Sequence, residues 1–229
     1  MIYFEKRLLI LTAYGSREKC YRCFRPKSSC MCEYINSFDT NTKFVILMHP
    51  KEFKKVKNNT GYFTHRTLEN SELFVGIDFS NNRRINEIIQ THESYILFPS
   101  ADALNLSTTT PVKNEKEKKA IVIFLIDATW SCASKIFNKS QNLQNLQHMS
   151  FTTTRESQYQ IKEQPKSHYL STIESTLVVL ELLNVWKIEN TPTKNLNDFL
   201  NPFLQMIEYQ KNKVAFAPTS SVRFKKSSK

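Results

Sequence analysis

At 229 residues, with 40% hydrophobic and 23% charged content, the chain is long enough for one well-buried core and too short for two large domains. No apolar run reaches the roughly eighteen residues of a membrane-spanning helix. With only three glycines (Gly15, Gly61 and Gly76), a P-loop and a G-x-G-x-x-G dinucleotide turn are both excluded. Thirty-two basic against twenty-one acidic residues give a net charge of +11, which favours a polyanionic partner, nucleic acid being the common one. Residues 211–229 hold six basic residues and no acidic one and read as a disordered basic tail. The body without them still carries +5.

The N-terminus places a short apolar stretch after Lys6 and Arg7. It carries Glu5 and is followed by no A-x-A cleavage site, so it reads as the opening element of a cytoplasmic protein rather than a signal peptide. Four of five cysteines follow within thirteen residues, as Cys20-x2-Cys23-x6-Cys30-x-Cys32. Crowded thiolates repel one another unless a disulfide or a cation joins them, and a cytoplasmic setting disfavours disulfides. A closed, structural four-cysteine zinc knuckle is therefore the better reading. Arg17, Arg22, Arg25 and Lys27 lie before and between the ligands and make the knuckle basic. Cys132 stands alone and reads as a buried or helix-surface thiol.

Four apolar runs come next, at 44–48, 73–77, 95–98 and 120–126. The first and last are continuous rather than alternating, as in strands covered on both faces. Helical stripes appear at Ile85, Ile88 and Ile89, over 171–188 and over 196–210. Strands alternating with helices predict an α/β fold with a largely parallel sheet. Residues 107–119 are polar and read as a surface loop. The domain reading is an N-terminal knuckle segment to residue 36, an α/β domain over 37–210, and the tail.

Three polar constellations sit at the ends of these elements. The 120–126 run ends on Asp127-Ala128-Thr129-Trp130, which puts a carboxylate where open α/β sheets bind ligands. The competing structural role for Asp127 is to cap the next helix. Ser171 and Glu174 are spaced as a capping box, which still leaves helix N–H groups able to receive a carboxylate. His49-Pro50-Lys51-Glu52 follows the first strand, and Arg155 and Lys162 flank Ser157 and Tyr159 in a polar stretch.

Together these pieces resemble the DTW-domain family. The resemblance rests on Arg17-x2-Cys20-x2-Cys23-x-Arg25-Pro26 with Cys30-x-Cys32, then His49-Pro50-x-Glu52 and Asn59-Thr60-Gly61. Phe98-Pro99, Asp127-x-Thr129-Trp130, Ser157-x-Tyr159 and Leu170-Ser171-Thr172-x-Glu174 follow in order. It implies a SPOUT-related fold and transfer of the 3-amino-3-carboxypropyl group of S-adenosylmethionine to N3 of a tRNA uridine. Asp127, Thr129 and Trp130 would then be catalytic, with Asp127 as general base or orienter. Phe98, Pro99, Ser157, Tyr159, Ser171, Thr172 and Glu174 would hold the donor. His49, Glu52, Asn59, Arg155 and Lys162 would meet the RNA, and no membrane or DNA partner is expected. Two positions depart from the family pattern. Met48 stands where Gln is usual, and Lys162 stands where Arg is common, losing the two-pronged contact of a guanidinium. Competing readings are the same transfer to ribosomal RNA, a SPOUT-type methyltransferase, and a non-catalytic zinc-dependent RNA-binding module.

Overall fold

A computed structural model describes residues 18–23, 25–54, 59–111, 119–159 and 170–215. The expectations for the N-terminal apolar stretch and for Lys162 lie outside these residues, as does that for most of the basic tail. Six strands, β1 (Lys43–Met48), β2 (Ser71–Val75), β3 (Glu93–Leu97), β4 (Leu104–Asn105), β5 (Ile121–Asp127) and β6 (Gln147–Ser150), form one sheet. Their order is β2-β1-β5-β3-β6-β4, and every pairing is parallel. Eight helices accompany them among the described residues: α1 (Pro50–Lys54), α2 (Thr60–Thr67), α3 (Arg83–Thr91), α4 (Trp130–Lys139), α5 (Gln141–Gln144), α6 (Thr172–Val185), α7 (Thr193–Asp198) and α8 (Asn201–Ala215).

The continuous apolar runs are explained by burial on both faces. Phe44 and Ile46 of β1, with Ile121, Ile123 and Leu125 of β5, point into one core with Phe63 of α2, Val179 and Leu183 of α6, and Phe203 and Met206 of α8. Val45, Leu47, Val122 and Phe124 point the other way, onto Ile85 and Ile88 of α3, Ile136 of α4 and Leu143 of α5. The predicted 196–210 helix is two helices, α7 and α8, and α8 runs to Ala215, into the segment expected to be tail. Of the four expected strands, all are present, shifted by one or two residues. The short β4 and the polar β6 (Gln-His-Met-Ser) carried no apolar pattern from which to read them.

Connectivity decides where a crevice opens. The chain leaves β1 for β2 on one side and leaves β5 for β6 on the other, although β1 and β5 are neighbours. Their C-terminal ends, with Met48 and Asp127 in register, therefore flank a topological switch point, the usual ligand position in open α/β sheets.

The cysteine segment folds against the same core. Lys19 pairs with Pro26 in an antiparallel bridge, and the Cys20 N–H donates to the Arg25 carbonyl at 2.8 Å. Met31 is buried in the larger core, and the Arg25 guanidinium lies 4.8 Å from the Phe63 ring centroid. The Tyr62 hydroxyl donates to the Arg22 carbonyl, fastening the knuckle to α2.

Candidate active site

At the switch point the C-terminal strand ends open into a cleft of about 730 Å³, within the range of small-ligand sites. Its walls include Glu52, Phe98, Pro99, Asp127, Thr129, Trp130, Tyr159, Ser171 and Thr172. Nine of the residues singled out from the sequence are thus brought to one cavity from five separate stretches of chain.

Asp127 is the best-defined of them. It is buried, and the Thr172 hydroxyl, at the first position of α6, donates to its Oδ1 at 2.6 Å. A Cβ on Gly61 would lie 2.6 Å from the Asp127 carboxyl carbon, so only glycine lets the start of α2 approach so closely. Asp127 lies two residues before the N-cap position of α4. That position falls to Thr129, whose side chain makes no capping bond. The strand thus delivers a carboxylate whose orientation is fixed by α6 and whose far side is walled by α2.

Tyr159 and Arg25 complete the buried polar array. Burial, with the Asp127 and Glu52 carboxylates nearby, pushes the Tyr159 phenol well above its ordinary pKa, while Arg25 pulls it back. The phenol is therefore a neutral donor at physiological pH. Burial lowers the Arg25 pKa, opposed by the cysteines and Tyr159, yet an arginine remains charged in such a setting. Arg25 is thus a cation held between the knuckle cysteines and Tyr159.

Ser157 and Glu174 are spent on each other. Glu174 Oε2 accepts from the Ser157 hydroxyl at 2.9 Å, the Ser171 N–H at 2.8 Å and the Ser171 hydroxyl at 2.6 Å, and Oε1 accepts from the Gln158 N–H at 2.7 Å. The expected capping box is present, and it also clamps the 157–159 segment so that Tyr159 faces the cleft. The box uses two of the four first-turn donors of α6, leaving the Thr172 and Ile173 amides. Trp130 is 42% exposed at the rim. Phe98, also on the cleft wall, stacks on Phe137 of α4 at 4.8 Å between centroids, which fixes its ring.

Three other expected residues lie behind or beside the cleft. His49 is buried, and its Nδ1 accepts from the Lys51 N–H at 3.1 Å, a structural role at the start of α1. Asn59 caps α2 through the Tyr62 N–H at 2.8 Å. Arg155 forms an ion pair with Glu181 at 2.7 Å on the surface. Sequence reasoning missed the hydroxyl-rich wall of Ser150, Thr152 and Thr153, together with Phe151, which follow the unpredicted β6.

The four cysteines converge. Their sulfurs all lie within 4.8 Å of one another, with Cys20–Cys32 at 3.8 Å and Cys23–Cys30 at 3.7 Å. Zinc–sulfur bonds of about 2.3 Å in a tetrahedron put sulfurs roughly 3.8 Å apart, so the set fits one such ion.

The model of the DTW domain matches residues 17–211. This chain belongs to the DTW-domain family. Among curated relatives, tRNA-uridine aminocarboxypropyltransferase 2 of Macaca fascicularis and of Mus musculus are each 30% identical over 175 residues, covering 73% of this chain and 57% of theirs. The Drosophila melanogaster protein of the same name is 29% identical over 174 residues, covering 73% and 67%. The chain spans somewhat over half the length of the two mammalian relatives. No solved structure gives a significant match. The domain match runs from just before the knuckle into α8, so the DTW unit takes in both the cysteine cluster and the cleft.

Proposed function

We propose that this DTW-domain protein transfers the 3-amino-3-carboxypropyl group of S-adenosylmethionine to N3 of a tRNA uridine, yielding 5'-methylthioadenosine. The observation that carries the reading is the buried Asp127 carboxylate, held by Thr172 and walled by Gly61 inside a cleft of nucleoside size. The mammalian and fly relatives named as tRNA-uridine aminocarboxypropyltransferases support the transfer of that group to a tRNA uridine.

The donor supplies a carbon bonded to a sulfonium, a leaving group that departs with its electron pair as a neutral thioether. The chain's residues supply position and a proton acceptor. Which of the three carbons on sulfur reacts depends on which is held in line with the nucleophile. Asp127 and Glu52 put negative charge against a cationic donor, and the remaining first-turn amides of α6 suit its carboxylate. Trp130 at the rim offers a face on which a uracil can stack. As the N3–carbon bond forms, the imide proton leaves to Asp127, which Thr172 keeps aimed. Tyr159 donates a hydrogen bond without titrating.

On the same reading the cysteine cluster holds structural zinc, the sheet is SPOUT-related and the protein acts in the cytoplasm. Mass spectrometry of tRNA nucleosides after incubation with protein and donor tests the reaction. Donor labelled in the carboxypropyl arm should mark tRNA, and methyl-labelled donor should not. The reverse pattern would make this a methyltransferase, and no labelled nucleoside with either donor would leave a binding module.

A further inference from the structure

Arginines are the informative charges on this surface, because most of the described ones are already committed. Arg83 pairs with Glu87 at 2.9 Å, Arg84 with Glu72 at 2.7 Å, and Arg155 with Glu181 at 2.7 Å, while Arg25 is buried under the knuckle. Arg22 and Arg66 differ. No carboxylate pairs with either among the described residues. They line the same polar groove of about 300 Å³ at the base of the knuckle, distinct from the main cleft. The Arg66 guanidinium is steered there by the Arg22 carbonyl, which accepts from its Nη2 at 3.3 Å, and by the Tyr62 ring, 5.8 Å from its Cζ. Glu69 also lines the groove and accepts from the Ser37 hydroxyl at 2.9 Å.

Beside Arg22, at the outer turn of the knuckle, Tyr21 is 92% exposed, the most exposed large apolar side chain among the described residues. It lies one residue after Cys20 and two before Cys23, so its turn is held between two of the four converging cysteines. An exposed aromatic ring on the residue before Arg22, which shares a groove with Arg66 where neither guanidinium has a carboxylate partner among the described residues, matches the chemistry of unpaired nucleic acid. The ring takes a base face and the arginines take flanking phosphates. A protein partner would more often find a larger apolar patch with committed charges around it.

We propose that Tyr21, Arg22 and Arg66 form a second RNA contact outside the cleft, in which Tyr21 stacks on an unpaired base of the substrate tRNA and the two arginines hold adjoining phosphates. The inference rests on the tRNA reading above. It gives the knuckle a recognition surface in addition to its structural role. Only the Arg22 carbonyl fastens α2, so truncating the Arg22 side chain spares that contact.

The test is equilibrium binding of full-length protein to tRNA across a salt series, with metal content and S-adenosylmethionine binding measured alongside. Tyr21→Ala should weaken tRNA binding by roughly tenfold or more, and Tyr21→Trp should restore it, as expected for stacking. The Arg22→Ala/Arg66→Ala pair should flatten the log–log salt slope by about 1.4–1.8. Both variants should keep wild-type metal content and donor binding. Wild-type affinity and salt slope in both variants would overturn the contact while leaving the transferase reading standing. A wild-type protein that binds no tRNA would instead remove the reading on which it rests.

Discussion

At the scale of residues, Asp127 was legible because a continuous apolar strand ends on it, and the end of a buried parallel strand is where a carboxylate meets a ligand. Its partners were not legible. Thr172 and Gly61 come from positions 45 and 66 residues away, and only tertiary packing brings them together. Ser171 and Glu174 were readable as a capping box from spacing alone. That the same carboxylate also anchors Ser157 and Gln158 was not, since sequence shows spacing within a helix but not which loop docks on it. Two substitutions test the carboxylate. Asp127→Asn keeps its size and should reduce transfer by about 10²–10⁴-fold, with metal content and melting temperature retained; unchanged turnover would take Asp127 out of the mechanism. Gly61→Ala forces a methyl group into the space of the Asp127 carboxyl. Loss of transfer comparable to the asparagine variant is expected, measured against donor binding, and wild-type kcat would show that the close approach has no catalytic role.

At the scale of elements, the sheet was readable where its strands are apolar. β1 and β5 declared themselves as continuous runs because helices cover both their faces. β6, at the polar side of the sheet, did not, and with it went the Ser150–Thr153 wall of the cleft. Charged pairs between elements were also invisible from composition: Arg84 counts towards the net positive charge, yet it binds a carboxylate on another element. Glu72 on β2 joins Arg84 of α3 and Lys43 of β1. The Arg84 hydrogen bonds, with Lys43 adding to them against a burial penalty, hold the Glu72 carboxyl below its ordinary range. A depressed folded pKa means that the pairing contributes stability above the ordinary glutamate range and loses it as pH falls through the folded value. Glu72→Gln should therefore lower the melting temperature near neutrality by a few degrees and flatten its decline on acidification. Parallel acid limbs for the variant and the wild type would mean the pair contributes nothing.

At the scale of the whole molecule, cysteine spacing announced a metal site but not its place in the architecture. The knuckle lies over α2, with Arg25 on Phe63, and α2 carries the Gly61 that walls Asp127. On the proposed reading a metal held by the four cysteines contributes on the order of 10–16 kcal/mol to ordering that segment, and its removal should loosen the cover that Arg25 gives Phe63. Chelation should thus lower the melting temperature by on the order of tens of degrees and reduce transfer with it, as followed by metal analysis beside calorimetry. An apo-protein melting with the holo-protein would show that the knuckle does not brace the fold. The parallel sheet has a further consequence, in time rather than space. Lys43 of β1 pairs with Val122 of β5, about eighty positions along the chain. These two continuously apolar neighbours are therefore made about half a chain apart, with four strand-to-strand connections between them, before they can pair. Folding should accordingly be slow for a protein of this size, and until β5 is made β1 has β2 along one edge and its other edge open, an apolar edge that the nascent chain has to keep from neighbouring molecules.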